Sequence, residues 1–323
     1  ETWGPNFPIF GDTTKRFAET VEKMSDGRLK VRIDSSNKHK APLGVFDMVK
    51  AGQYDMGHSA SYYWKGKVPN TLFFTSMPFG MNAMEQYAWF YHGGGMELMQ
   101  EVYEPHNMLS FPGGNTGVQM GGWFRKEINS SDDLKGLKMR IPGLGGEVLA
   151  RAGGTPVTLP GGEIFPALER GVIDAAEFVG PYQDRRMGLQ NAAKFYHTTG
   201  WHEPSTTGEL LISKQHWDEL PDDLKMIVKS ACMAACLESV TWSEAVNGEA
   251  MTDLVDNHGV TASMLPEPVV NALREATMDT LATEANADPL VRKVHDSYMA
   301  FKANHDRWAG ASERAWLNDI IGV

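Results

Sequence analysis

The chain has 323 residues, enough for two domains of ordinary size, with 42% apolar and 22% charged residues, a balance that supports a buried core. No run approaches the ~20 consecutive apolar residues of a membrane-crossing helix. The net charge of −11, from 41 acidic against 30 basic side chains, argues against nucleic acid and leaves any anionic ligand to be captured by local donors.

In chain order, the opening is Glu1-Thr-Trp rather than a methionine, which suggests that a leader lies outside this numbering. Pro5-Asn-Phe-Pro-Ile9 reads as a loop. Asp12 or Thr13 caps a predicted helix from about Thr14 to Ser25, with Phe17, Val21 and Met24 at helical spacing. Leu29-Lys-Val-Arg-Ile33 alternates as a half-buried strand would.

An internal repeat follows. Phe46-Asp-Met-Val-Lys-Ala-Gly52-Gln-Tyr-Asp55 and Phe165-Pro-Ala-Leu-Glu-Arg-Gly171-Val-Ile-Asp174 share the order Phe, apolar, charged, Gly, apolar, Asp. Each predicts a helix stopped by glycine, then a turn into a buried strand. One such unit used twice implies two similarly built α/β lobes. Ligands of such folds sit beyond the carboxyl ends of the strands, here Ser59–Trp64 and Glu177–Tyr182. A helix from Pro221 to about Asp256 would span ~50 Å at 1.5 Å per residue, enough to bridge both lobes. A second helical region runs from Glu267 to about Ala309, broken near Asp288-Pro289. Val291, Val294, Tyr298 and Phe301 form an apolar stripe there, which fits either its own lobe or a second copy of the chain.

Several motifs fall short of chemistry. Gly57-His-Ser-Ala-Ser61 lacks the second glycine of a nucleophile elbow, and Gly143-Leu-Gly-Gly-Glu-Val148 has Val148 at the third glycine of a dinucleotide loop. His202-Glu203 lacks the second histidine of a metalloprotease helix, and Pro204 would break that helix. Cys232 and Cys236 lie on a predicted helix and read as small buried apolar residues. Lys138-Met-Arg140-Ile-Pro142 is more informative. An arginine in an apolar strand must be paired, either with an internal carboxylate or with the carboxylate of a ligand.

The run Asp133–Pro142 resembles the substrate-binding proteins of TRAP transporters, as do both helix–Gly–Asp repeats, Met77-Pro-Phe-Gly80 and Ile212–Pro221. The resemblance covers nearly the whole chain. It implies an α/β fold of the two-lobed periplasmic binding protein type, with mixed sheets, hinge strands and a long helix spanning both lobes. The expected lobes are residues 1–122 with about 211–253, and 123–210 with about 254–285, followed by a helical extension over 286–323. It also implies a periplasmic receptor that hands its solute to the membrane components of a transporter, and no enzymatic activity.

Gly114–Phe124, Ala176–Tyr182 and Gly200–Pro204 resemble the 2-oxo acid and lactate branch most. That likeness implies that Arg140 grips the ligand carboxylate. It further implies a sodium or calcium ion held by Gln119, Glu177 and the backbone carbonyl of Phe178, where the branch usually has tryptophan. Amide, carboxylate and carbonyl oxygens are hard ligands that suit those ions. Tyr62, Tyr63, Trp64, Asn115 and Tyr182 are the further candidates to line the pocket. The expected ligand is a short 2-oxo monocarboxylate such as pyruvate, with lactate or a bulkier aromatic or branched oxo acid as alternatives. The rival class is a carboxylate-processing enzyme, for which Arg140 and a metal-bound Glu177 are poor proton shuttles. The branch also includes dimers that exchange a C-terminal helix, so a homodimer is expected.

Overall fold

A computed structural model describes residues 1–322; the final residue of the expected extension, Val323, lies outside the described residues. The first sheet has three strands in the order β1-β8-β2, with β1 Met56–Ser59, β2 Met108–Asn115 and β8 Thr207–Ser213. The second has six, in the order β5-β4-β6-β3-β7-β9. Its members are β3 Gly122–Phe124, β4 Lys138–Arg140, β5 Thr155–Val157, β6 Ala175–Ala176, β7 Phe195–Thr198 and β9 Thr261–Met264. This sheet is mixed: β4 runs parallel to β5 and β6, while β3 is antiparallel to β6 and β7.

The repeat read from the sequence is a repeat in three dimensions. Helix Val45–Lys50 ends before Gly52 and turns into β1, and helix Gly161–Glu169 ends before Gly171 and turns into β6. Both glycines have φ of +70°, the left-handed conformation that a glycine stop supplies without steric cost.

Helix Asp222–His258 has 37 residues, close to the length expected. It touches both lobes. Its Ser239 Oγ accepts from the Asn115 N–H at the end of β2 (2.8 Å), and its Asn247 Oδ1 accepts from the Tyr182 N–H in the second lobe (3.0 Å). Cys232 and Cys236 are buried on it as free thiols, and burial raises the Cys236 thiol to about 11, which keeps it unreactive.

One expectation is corrected and one open alternative is narrowed. Leu29–Ile33 joins no ladder, and Glu1–Trp3 lie beside β1 instead. The Thr2 N–H donates to the His58 carbonyl of β1 (3.0 Å), and the Ser36 N–H donates to the Trp3 carbonyl (2.9 Å). A cavity of about 430 Å³ lies beside the segment, lined by Leu29, Val31, Ile33, Met56 and Ile212. The stripe on helix Pro289–Ala311 serves the chain's own first lobe: Val291, Val294 and Tyr298 are fully buried there, and Tyr298 Oη accepts from the Met81 N–H (2.7 Å). Phe301 lies over Gly93, where any Cβ would come within 2.6 Å of its ring.

The chain crosses between the sheets at residues 116–121 and again at 199–206. These crossings are bonded to each other: the Thr116 N–H donates to the Thr206 carbonyl (3.1 Å), and the Gln119 N–H to the Glu203 carbonyl (3.3 Å). A bulge between Pro112 and Asn115 directs β2 into the first crossing, with Gly114 at φ +149°.

Candidate functional site

Arg140 is the last residue of β4 and Glu177 the first after β6. Parallel pairing sets Arg140 opposite Ala176, so two residues distant in sequence become neighbours in the ladder. Arg140 as a whole residue is 1% exposed. Its Nη1 donates to the Glu177 carbonyl (3.1 Å) and to Glu177 Oε1, its Nε donates to the Leu159 carbonyl (3.2 Å), and its Nη2 donates to Tyr63 Oη (3.2 Å). Burial works against the guanidinium charge, but Glu177 and the tyrosines more than offset it and raise the Arg140 pKa.

Glu177 faces a second partner, His202 Nε2, 3.3 Å from Oε2. Glu177, His202 and Glu203 are all buried and bring one ligand atom each within 4.8 Å of one another, the cluster of this kind found among the described residues. Burial, then the nearby Glu177 charge, raises the Glu203 carboxyl to about 7. Asp184 braces the loop that carries Glu177 and Phe178. It accepts from the Val179 N–H (3.1 Å), Trp123 Nε1 (2.9 Å) and Tyr196 Oη (2.8 Å), and burial lifts its carboxyl to about 7.

Gln119, 2% exposed, arrives on the first crossing. Its Nε2 donates to Thr206 Oγ1 (2.8 Å), whereas its Oε1 is buried without a hydrogen-bond partner. A buried amide oxygen left unpaired costs about 1–3 kcal/mol unless something fills its need. An unpaired amide oxygen, linked through Thr206 and Glu203 to the Glu177 carboxylate, adds to that carboxylate the kind of oxygen a hard cation takes, so the residues present fit the sodium or calcium expected.

The remaining sequence candidates divide. Tyr62 and Tyr63 pack edge to face (4.7 Å between centroids), with Tyr63 on Arg140 and Tyr62 against Gly143. Gly143 sits at φ +63°, and a Cβ there would meet the Tyr62 ring at 3.1 Å. Phe178 is 6% exposed and packs edge to face on Phe7 (5.4 Å). Three candidates lie elsewhere. Trp64 stacks on Phe46 (5.4 Å) inside the first lobe's core. Asn115 holds the end of β2, its Nδ2 donating to Thr207 Oγ1 (3.1 Å) and its Oδ1 accepting from the Gly117 N–H (2.8 Å). Tyr182 packs against Trp242 (5.0 Å) on the long helix. Sequence reasoning missed His202, Glu203 and Thr206 as site residues. The available signal was two ionisable residues beside a proline in a stretch of small and hydroxyl-bearing residues, His197-Thr-Thr-Gly-Trp-His-Glu-Pro-Ser-Thr-Thr207.

Residues 1–287 match the DctP family, bacterial extracellular solute-binding proteins of family 7. The chain belongs to this family. The monocarboxylate 2-oxoacid-binding periplasmic protein of Nostoc sp. is 43% identical over 301 residues, 93% of this chain and 82% of that protein. Two solved TRAP periplasmic solute-binding proteins are each 53% identical, cover 98% of this chain and 97% of theirs, and superpose with a TM-score of 0.95. The one from Pseudoalteromonas atlantica holds sodium and pyruvate, and the one from Colwellia psychrerythraea holds calcium and pyruvate. The chain is thus a two-lobed α/β solute-binding receptor of the TRAP type, not an enzyme.

Proposed function

We propose that this family-7 receptor captures pyruvate or a similarly short 2-oxo monocarboxylate together with a sodium or calcium ion in the periplasm, and delivers the acid to the membrane components of a TRAP transporter. The buried Arg140 on Glu177, with a buried Gln119 Oε1 left unpaired on the first crossing, carries this reading: one group suits an anion and the other a hard cation. Gln119, Glu177 and the Phe178 carbonyl would hold the cation. A bound cation would neutralise Glu177 and offer positions to the carboxylate and keto oxygens of a 2-oxo acid. The planar fork of Arg140 then takes the ligand carboxylate bidentately in place of Glu177 Oε1. His202 keeps hold of Glu177 Oε2, and Tyr62 and Tyr63 wall the ligand from water.

Titration calorimetry of the chelator-stripped protein with pyruvate, lactate and phenylpyruvate, with and without added calcium or sodium, tests this. Pyruvate should bind most tightly, and only the cation-loaded protein should reach full affinity. Failure of all three acids to bind in either cation would sink the assignment. Tighter binding of lactate or phenylpyruvate would move the ligand class to one of those.

We further propose a homodimer built on the chain's C-terminal end. Trp308 is 66% exposed, Trp316 55% and Ile320 75%, an apolar surface beyond the stripe that the first lobe covers. Light scattering at micromolar concentration should return the mass of two chains. A single-chain mass would remove the proposal.

A further inference from the structure

The amide of Gln119 has its direction imposed by residues that do not themselves need to touch a ligand. Its Nε2 faces two hydroxyl oxygens, Thr206 Oγ1 at 2.8 Å and Thr116 Oγ1 at 3.4 Å. Both hydroxyl protons are committed elsewhere. Thr116 donates to the Gly117 carbonyl (2.8 Å), and Thr206 donates to Glu203 Oε2. A hydroxyl whose proton is engaged can only accept, so both oxygens demand the amide N–H₂ and reject the amide oxygen. All four side chains are buried, from 0% to 3% exposed, so water does not loosen the arrangement. Glu203 Oε2 takes the Thr206 proton, which sets the direction of the chain at its source. The second crossing adds a close backbone constraint: the Gly200 N–H donates to the Gln119 carbonyl (2.6 Å), and a Cβ on Gly200 would lie 2.8 Å from that oxygen.

We propose that Glu203, Thr206 and Thr116 form a positioning relay that turns Gln119 Oε1 toward the cation, so that Glu203 governs cation affinity through Thr206. The inference rests on the cation site proposed above, and it adds residues from the second crossing that act through Gln119. Removing the Thr206 hydroxyl leaves the amide with one distant acceptor and lets it turn. Replacing the Glu203 carboxylate by an amide removes the obligate acceptor: Thr206 can keep its proton on the amide oxygen or, facing the amide N–H₂, turn it to Gln119, so the direction of Gln119 is no longer imposed.

The test is calcium and sodium titration, without organic acid and at one fixed pH, of wild type, Thr206→Val, Thr206→Ser and Glu203→Gln. Far-UV circular dichroism and melting in chelator monitor the fold. Outer-shell changes of this kind cost about 10–100-fold in metal affinity. That loss is expected for Thr206→Val and Glu203→Gln, with recovery in Thr206→Ser, which restores the hydroxyl. If Thr206→Val fails to fold, Glu203→Gln carries the test. Wild-type cation affinity in both Thr206→Val and Glu203→Gln overturns the relay and leaves the cation site standing. Equal loss in Thr206→Ser also overturns it, since the hydroxyl would then not be the cause. A wild type that binds neither cation overturns relay and site together.

Discussion

Arg140→Ala should abolish high-affinity capture of the 2-oxo acid and lower the stability of the protein at the same time. A charge-assisted hydrogen bond contributes about 1.5–3 kcal/mol, and ~1.4 kcal/mol is a factor of ten, so the loss in affinity should be at least tenfold. The stability effect has a separate origin. Arg140 and Glu177 are paired with side chains 2% and 1% exposed, and removing one partner strands the other charge. Breaking a buried pair in this way costs about 3–5 kcal/mol, which a melting curve in chelator would register. Arg140→Lys separates the two roles. It keeps a positive charge near Glu177 but loses the fork that grips a carboxylate, so it should retain more stability than ligand affinity. Calorimetry that returned wild-type affinity for Arg140→Ala would remove Arg140 from the binding site.

Glu177→Gln should uncouple the acid from the cation. The substitution conserves shape, and the amide oxygen can still accept from Arg140 Nη1, so folding should survive. What is lost is the negative charge that a hard cation requires. Cation affinity should fall beyond the ~10–100-fold typical of outer-shell changes, because Glu177 would be a direct ligand. The signature lies in the comparison: wild-type pyruvate affinity should collapse on adding chelator, while residual affinity in Glu177→Gln should be the same with and without it. Residual affinity that still responds to calcium would place the cation elsewhere.

These two side chains also mark how far sequence reasoning reached. An arginine in Lys138-Met-Arg140-Ile-Pro142 had to be paired, and both kinds of partner, internal carboxylate and ligand, were open. The structure pairs it with Glu177, a residue already singled out as a candidate, because β4 and β6 run parallel and in register. The remaining partners of that carboxylate were out of reach. His202 comes from a crossing 25 residues further along the chain, and nothing local in Gly200-Trp-His-Glu-Pro204 states which way the imidazole points.

What the sequence determined by itself is local. Two glycines at the ends of two helices specify a left-handed residue and a turn wherever they are placed, so the repeat and the two-lobed architecture could be read directly. The long helix could be read as well, since no proline or glycine intervenes from Asp222 until Gly248. What only the tertiary structure decided depends on pairing between distant segments. Leu29–Ile33 has the alternation of a strand, but a ladder needs a neighbour, and the chain sets none beside it. The stripe from Val291 to Phe301 fitted its own lobe or a partner, and in the folded chain it lies against Trp89 and Gly93. The direction of the Gln119 amide follows the same rule. An amide has two nearly isosteric ends, and the hydroxyls and carboxylate that distinguish them lie close in space but up to 87 residues away in the chain.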